Sequence, residues 1–471
     1  MTYPEVVQYL ESFINYEKIP TWSYKESLKL ERIKGFLAIL DNPQDSLRCI
    51  HIAGTKGKGS TCAFISYILR ETGYKVGLYT SPHLSDFRER IRILNPASPT
   101  PAPKVEEDFE GMISEDELAN LIERLKPSVE NYNKNSKYGP LSFFEVYTSL
   151  AFAYFRDKIV DFVVLETGLG GRLDATNVVN PLVCGISSLS YEHTQNLGNT
   201  LKDIATEKAG IIKGKQSIVI TASQEKEAIE AIRNRAKAVG ARLFELGRDI
   251  FYESSRKGFN VLGMFAEYPN LEIRLLGGHQ FINATVAIGV IEALRFHNIY
   301  VGIDPIRMGL YNTIWPGRCE IISQNPLIVL DGAQNIASSL ALKETIQKNF
   351  SAKGGSADFC GGSYKKLILV LGISNDKDIK GICNELNELA DEVILTQSNN
   401  PRATEPKVLA KHFKDKNSHI TENISEALEL AIKKASPQDL ILVTGSLFVV
   451  GEAREFCLER SKQATHQYSI T

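Results

Sequence analysis

Apolar residues recur at helical spacing from the start of the chain: Val6, Val7, Leu10, Phe13 and Ile14, then Leu28, Leu30, Ile33, Phe36, Leu37 and Leu40. Residues 1–46 therefore read as helices. The pattern then changes. Residues 47–52 form a short apolar, β-prone run, and 62–69 are helix-forming. Residues 75–79, 161–165, 183–189 and 217–221 are further apolar runs, with helical patterns from about Leu201 and Glu225 between the later ones. Unbroken apolar strands of this kind belong to parallel sheets buried on both faces, and the alternation predicts such a sheet covered by helices. Residues 280–297 read as one long helix, and Trp315-Pro316-Gly317-Arg318 interrupts the chain. A second α/β series follows, with strands near 327–330, 366–371, 392–395 and 440–443, so a domain boundary is expected near 314. Two stretches break the rhythm. Residues 95–117 are proline-rich and then acidic, and an extended, solvent-exposed loop is expected there, with a helix resuming near Asp116. The glycine- and serine-rich 351–363 reads as a mobile loop.

The first strand runs into Gly54-Thr55-Lys56-Gly57-Lys58-Gly59-Ser60-Thr61. A strand, glycine loop and helix in this order leave backbone N–H groups and a helix N-terminus pointing outward, which favours an anion. The glycines let the backbone approach phosphate oxygens, Lys58 supplies a compact charge, and Ser60 or Thr61 offers a hydroxyl to Mg²⁺. The spacing is not that of Walker A: Ile52 stands where its first glycine belongs, and Gly59 directly follows Lys58. The loop reads as a variant nucleotide-phosphate loop.

In an open parallel sheet, ligands sit beyond the carboxyl ends of the strands. Ser81, Glu166 and His193 fall there, and could share a divalent cation with nucleotide oxygens. By itself His193 reads more readily as a hydrogen-bonded polar residue than as a ligand, because imidazole is an uncommon ligand for so hard an ion. Glu166 is the sharper signal: a carboxylate directly after five buried apolar residues calls for a cation. It opens a second glycine-rich loop, 166–177, in which Arg172 and Asp174 favour binding over a plain connection. Arg88, Arg90 and Arg92 suit bidentate capture of a carboxylate, or form a solvated charged face.

Composition narrows the class. Lys plus Arg (54) nearly balance Asp plus Glu (56), against a non-specific nucleic-acid binder. Seven scattered cysteines without a C-x-x-C pair fit free thiols in a reducing compartment. No run approaches the ~20 apolar residues that span a bilayer, and the amino end shows neither secretory nor transit character. A cytoplasmic location, no membrane or nucleic-acid partner, and a monomer acting on small molecules are expected.

The segments 54–60, Ser81-Pro82-His83-Leu84, Arg88-Glu89-Arg90-Ile91, 166–177 and Glu207-Lys208-Ala209-Gly210-Ile211 together resemble the folylpolyglutamate synthase/dihydrofolate synthase family of the Mur ligase superfamily. His279-Gln280, Asn283-Ala284, Pro316-Gly317-Arg318, Asp331-Gly332-Ala333, Asn400-Pro401-Arg402-Ala403 and Val443-Thr444-Gly445-Ser446-Leu447 extend the match, in order, to nearly the whole chain. The resemblance implies a P-loop-type parallel-sheet domain with amino-terminal helices over 1–314 and a smaller Rossmann-like α/β domain over 315–471. It implies an ATP-dependent amide ligase in which ATP phosphorylates a folate or dihydropteroate carboxylate and L-glutamate attacks the acyl phosphate. Gly54, Thr55, Lys56, Gly57, Lys58, Gly59, Ser60, Asn283, Arg318 and Asp331 would then contact ATP. Ser60, Ser81, Glu166, His193 and Lys208 would serve two magnesium ions, Lys208 as a carbamylated lysine, whereas by itself it reads as a solvated helix residue. Lys58, Glu166, His193 and Lys208 would be the catalytic set, and Arg90, Phe144, Asp174, Gln334 and Ser446 the substrate contacts. Two positions depart from the family: Glu192 precedes His193 where aspartate is usual, and Gln334 replaces a histidine. The competing readings are an ATPase without ligase activity and a sister ligase acting on a cell-wall precursor.

Overall fold

The structure is a computed structural model, and describes residues 1–19, 22–97, 109–255, 258–352 and 363–468. The chain forms two compact units. The first comprises Met1–His83, Phe87–Arg274 and Gln280–Thr313, and the second Leu84–Asp86, Leu275–His279 and Ile314–Thr471.

A seven-stranded sheet is the frame of the first unit. Its strands are β1 (Cys49–Ala53), β2 (Val76–Tyr79), β3 (Ile91–Leu94), β4 (Phe162–Glu166), β5 (Val183–Ile186), β6 (Ile218–Thr221) and β7 (Arg242–Glu245), in spatial order β3-β2-β4-β1-β5-β6-β7. All pairs are parallel except β2 with β3. The apolar runs behave as expected: β1, β2, β4, β5 and β6 are buried at every position. Register aligns their carboxyl ends, with Leu165 beside Tyr79, Glu166 beside Ile52, and Ile186 beside Ala53. The loops after four adjacent strands therefore rise from one edge.

Several expectations need correction. β5 stops at Ile186 rather than 189, because the Ser188 carbonyl turns away to accept the amides of Thr55 and Lys56. Arg90 and Arg92 are not a solvated face: each is 1% exposed, in a 3₁₀ turn (Phe87–Arg90) and in β3. In the stretch 95–117, residues 98–108 lie outside the described residues and 95–97 are exposed as expected, but Phe109 and Ile113 are buried and tie 109–113 to the sheet. Ile113 is fully buried and donates its amide to Ile91, Ile93 donates to Gly111, and Arg70 grips the Glu110 carboxylate. The helix that follows starts at Glu115, where Ser114 and Glu117 form a reciprocal capping box. The helix expected over 280–297 is Gly278–Ala293, tightening into a 3₁₀ turn at Leu294–His297.

An antiparallel sheet, β8 (Phe251–Ser255), β9 (Gly258–Leu262) and β10 (Glu267–Leu271), was not expected. One carboxylate fastens it: Glu292 accepts the amides of Met264, Phe265 and Ala266 and the Tyr268 hydroxyl.

The second unit carries β11 (Glu320–Gln324), β12 (Leu327–Asp331), β15 (Leu367–Leu371), β16 (Glu392–Leu395), β17 (Asn417–Ile420) and β18 (Leu440–Thr444), ordered β11-β12-β18-β15-β16-β17. Only β11 runs antiparallel in this sheet. The two-residue strands β13 (Ser351–Ala352) and β14 (Ser363–Tyr364) pair separately. Most of the loop expected over 351–363, residues 353–362, lies outside the described residues. Among the described residues no helix is long and apolar enough to cross a membrane.

Candidate active site

The phosphate loop is held from outside. Thr55 and Lys56 both donate their amides to Ser188 O at 3.1 Å, and the Thr55 hydroxyl bonds to Ser190 O at 3.2 Å. Gly57 takes φ +80°, and a Cβ there would stand 2.0 Å from Asn283 Oδ1. Only glycine fits so close an approach in that conformation. Asn283 is itself fixed by donating to Gln280 Oε1 at 3.0 Å. The helix Lys58–Glu71 begins immediately after Gly57, so the amides of its first turn have no intrahelical partner and face outward. The backbone contribution open to an anion thus comes from Lys58, Gly59 and Ser60, while Thr55 and Lys56 brace the loop. The Lys56 side chain adds charge: its amine is buried with no hydrogen-bond partner among the described residues. Burial pulls its pKa down, and the nearby Glu192 opposes that pull.

Glu166 ends β4 beside this loop. Its Oε2 accepts the Ser81 amide at 3.2 Å, and Lys58 Nζ stands 3.7 Å from Oε1. Lys58, Ser81 and Glu166 are therefore brought together, as the strand-end rule requires. His193 caps the short helix Thr194–Leu197 with φ +52°, just after the segment that braces the phosphate loop. Among the described residues no group of three or more His, Cys, Asp or Glu side chains forms a ready metal cluster. A hard cation here would rely on one carboxylate, hydroxyls and ligand oxygens, which is the way Mg²⁺ is usually held.

Lys208 overturns the reading of a solvated helix residue. It is 5% exposed, and its amine donates to Gly54 O at 2.6 Å. Burial, reinforced by the Lys58 charge, lowers its pKa to about 7, against weaker support from Glu192 and Asp174. Nothing in the local sequence marks this. The burial follows from the second glycine loop: Arg172 donates its amide to Glu207 O and forks onto the Glu207 carboxylate. A Cβ on Gly171 would come within 2.8 Å of Lys208 O. The loop sits down on the end of the helix Leu201–Ala209 and covers its lysine.

The same loop fixes Asp174. Its carboxylate accepts the amides of Leu169 (2.9 Å) and Thr176 (3.0 Å) and the Thr176 hydroxyl, while His51 Nε2 lies 2.8 Å from that hydroxyl. Burial raises the Asp174 pKa and these bonds oppose it; burial drives His51 to about 3. Phe144 meets the loop at Gly168, where a Cβ would be 2.7 Å from its ring. Arg90 lies under Phe143, donating Nε to His83 Nδ1 and forking onto Glu17.

In the second unit, Asp331 ends β12 and accepts the amides of Cys319 and Ala333, both at 2.9 Å. Burial raises its pKa, with Arg318 opposing. Ser446 follows β18, the neighbour of β12, and its hydroxyl accepts the Phe448 amide. The Gln334 amide donates to the Ser338 hydroxyl, at the start of the helix Ile336–Asn349.

Comparison with known proteins decides the family. Residues 140–291 match the Mur ligase middle domain, and residues 317–447 match the Mur ligase, glutamate ligase domain. The dihydrofolate synthase/folylpolyglutamate synthase of Bacillus subtilis is 34% identical, over 90% of this chain and 94% of its own length. This chain belongs to the folylpolyglutamate synthase/dihydrofolate synthase family. It is an ATP-dependent ligase. Among solved structures, E. coli FolC in complex with DHPP and ADP superposes with a TM-score of 0.81 at 27% identity, covering 98% of this chain and 99% of that one. A Mycobacterium tuberculosis folylpolyglutamate synthase complexed with ADP gives 0.81 at 28% identity, covering 97% and 98%.

Within this ligase, sequence reasoning missed three polar residues around the site. Glu17 and His51 lie in segments read only as helix and strand, and Glu207, though inside a matched motif, was given no role; all three act through contacts across long sequence separations.

Proposed function

We propose that this ligase forms an amide between L-glutamate and a carboxylate on a dihydropteroate- or folate-type acceptor, through an acyl phosphate. The acceptor carboxylate oxygen attacks the γ-phosphorus of ATP and ADP leaves. The glutamate amine then attacks the acyl carbon, loses a proton, and phosphate departs with the C–O electron pair. The arrangement of Lys58, Glu166 and the outward amides of the helix start around the strand ends carries this reading. Phosphoryl transfer needs positioning and positive charge more than covalent assistance. Lys58 and the first-turn amides hold the phosphates, with Asn283 fixing the loop at Gly57. Arg318 and Asp331, together in the second unit, are the proposed further nucleotide contacts. Arg90, Phe144, Asp174, Gln334 and Ser446 are the proposed contacts for acceptor and glutamate.

Ser60, Ser81, Glu166, His193 and Lys208 would hold two magnesium ions, which when bound neutralise charge on the transferring phosphoryl group. The buried amine of Lys208 supports its part. With a pKa lowered to about 7, much of it is neutral at physiological pH, as addition to carbon dioxide requires. The carbamate so formed turns a cation into an anionic ligand. Mass analysis of the intact chain in bicarbonate, with the carbamate trapped chemically, tests this, and an unmodified Lys208 under those conditions overturns it.

The experiment for the reaction is a product assay. Dihydropteroate and reduced folates are offered separately with ATP, Mg²⁺ and L-glutamate, and the product masses are read. Phosphate release should require both acceptor and glutamate. Release without either would favour an uncoupled ATPase.

A further inference from the structure

Arg90 is buried to 1% exposure, and the partners of its guanidinium are all in the first unit. Nε donates to His83 Nδ1 at 2.8 Å, which leaves the outer edge, Nη1 and Nη2, for a carboxylate. That edge is taken. Glu17 accepts from Nη1 at 2.9 Å through Oε1 and from Nη2 at 2.6 Å through Oε2, a full bidentate fork. The phenyl ring of Phe143 lies 5.2 Å from the guanidinium carbon and backs the arginine.

Glu17 is a different kind of partner from the groups behind it. It sits between the helices Tyr3–Glu11 and Tyr24–Ser27, and its side chain is 34% exposed. Its segment is fastened where Ile14 O accepts the Phe143 amide, by the short-range bonds of Asn15 to Glu17 and Lys18, and by the Tyr16 ring against Trp22 at 4.6 Å. Lys18, next along, spends its amine on Glu11. The partly exposed Glu17 carboxylate has water to turn into, whereas Arg90, walled by Phe143 and His83, cannot follow it, so its charge demands another anion whenever Glu17 leaves.

We propose that Glu17 is a resident competitor at Arg90: its carboxylate occupies the seat of a substrate carboxylate and must leave before that substrate binds. This rests on the assignment of Arg90 to carboxylate recognition made above. The consequence is selectivity by displacement. A substrate reaches Arg90 only if its carboxylate arrives with further contacts that outweigh the Glu17 fork, so simple monocarboxylates are rejected. Only the fraction of molecules with Glu17 displaced is competent, and the apparent affinity is reduced by that fraction.

The test uses the full chain with Glu17→Gln, Glu17→Ala and Arg90→Lys, reading kcat, the KM of L-glutamate and of the acceptor, and melting temperature. Thermal shift with glutarate, a dicarboxylate lacking the amine, gives a readout free of turnover. The Glu17 variants should lower the KM of one carboxylate substrate by about threefold to tenfold with kcat retained, and strengthen the glutarate shift. Arg90→Lys should raise the same KM. If Arg90→Lys raises KM but the Glu17 variants leave it unchanged or raise it, Glu17 is a brace and the competitor proposal fails while the reading of Arg90 stands. If Arg90→Lys leaves both KM values unchanged, the assignment of Arg90 fails and the proposal falls with it.

Discussion

The two glycine-rich loops of the first unit are built in opposite ways. The phosphate loop is gripped from outside, by Ser188 O at Thr55 and Lys56 and by Asn283 against Gly57. Its own helix amides stay uncommitted. The loop over 166–177 closes on itself: Asp174 collects two backbone amides and a hydroxyl, and Arg172 is clamped to Glu207. One loop leaves donors open for an anionic ligand, and the other uses its polar groups to fix side chains. Lys208 lies across both, with its amine on Gly54 O and its carbonyl against Gly171. Uncommitted donors therefore mark the ligand seat, and satisfied ones mark the support around it.

The contrast can be broken most strongly where the loops meet. Glu166→Gln removes a charge without changing volume, so kcat should fall by about a hundredfold or more, as when one preorganised electrostatic group is lost. The melting temperature should stay close to that of the parent, and near-normal kcat would remove Glu166 from the mechanism. A finer cut compares two glycines. Gly57→Ala must leave φ +80° and strike Asn283, so the KM of ATP should rise about tenfold, the effect of roughly 1.4 kcal/mol. Gly171→Ala instead pushes on Lys208 O, and should reduce kcat while changing the KM of ATP less. Steady-state kinetics with ATP varied separates the two, and equal effects on ATP would erase the distinction between the loops.

A further test reads stability against pH. Lys208 has a folded pKa of about 7, below the ordinary lysine value of 10.5. Between those values the unfolded chain binds the extra proton, so stability rises with pH across that window. Below about 7 both states are protonated and the contribution is flat. Denaturant unfolding in carbon-dioxide-depleted buffer from about pH 7 to 9 should show this rise, and Lys208→Met should flatten it. Identical slopes in both proteins would mean that the amine is not held neutral.

Much of this was readable from the chain, for reasons that are themselves physical. Buried parallel strands must be apolar throughout, so β1, β4 and β18 stood out, and the carboxylate ending β4 was conspicuous against that background. The burial of Lys208 was not legible, because Lys202, Asp203 and Glu207 precede it in its helix and its burial depends on a loop earlier in the chain. The 3₁₀ turn and strand at 87–94 were hidden by charge. Arg90 and Arg92 are buried by partners, Glu17 and Glu110 O among them, that no local pattern announces. The sheet of β8 to β10 was missed because its strands are mostly exposed and lack an apolar run.

A last consequence concerns a single hydrogen atom. The Thr176 hydroxyl has one proton and gives it to Asp174, so toward His51 it can only accept. The imidazole must therefore carry its own hydrogen on Nε2, leaving Nδ1 bare in a buried place. This histidine is locked in one tautomer and stays uncharged well into acid. Its ring ¹⁵N resonances should keep the same pair of positions while surface imidazoles titrate around them.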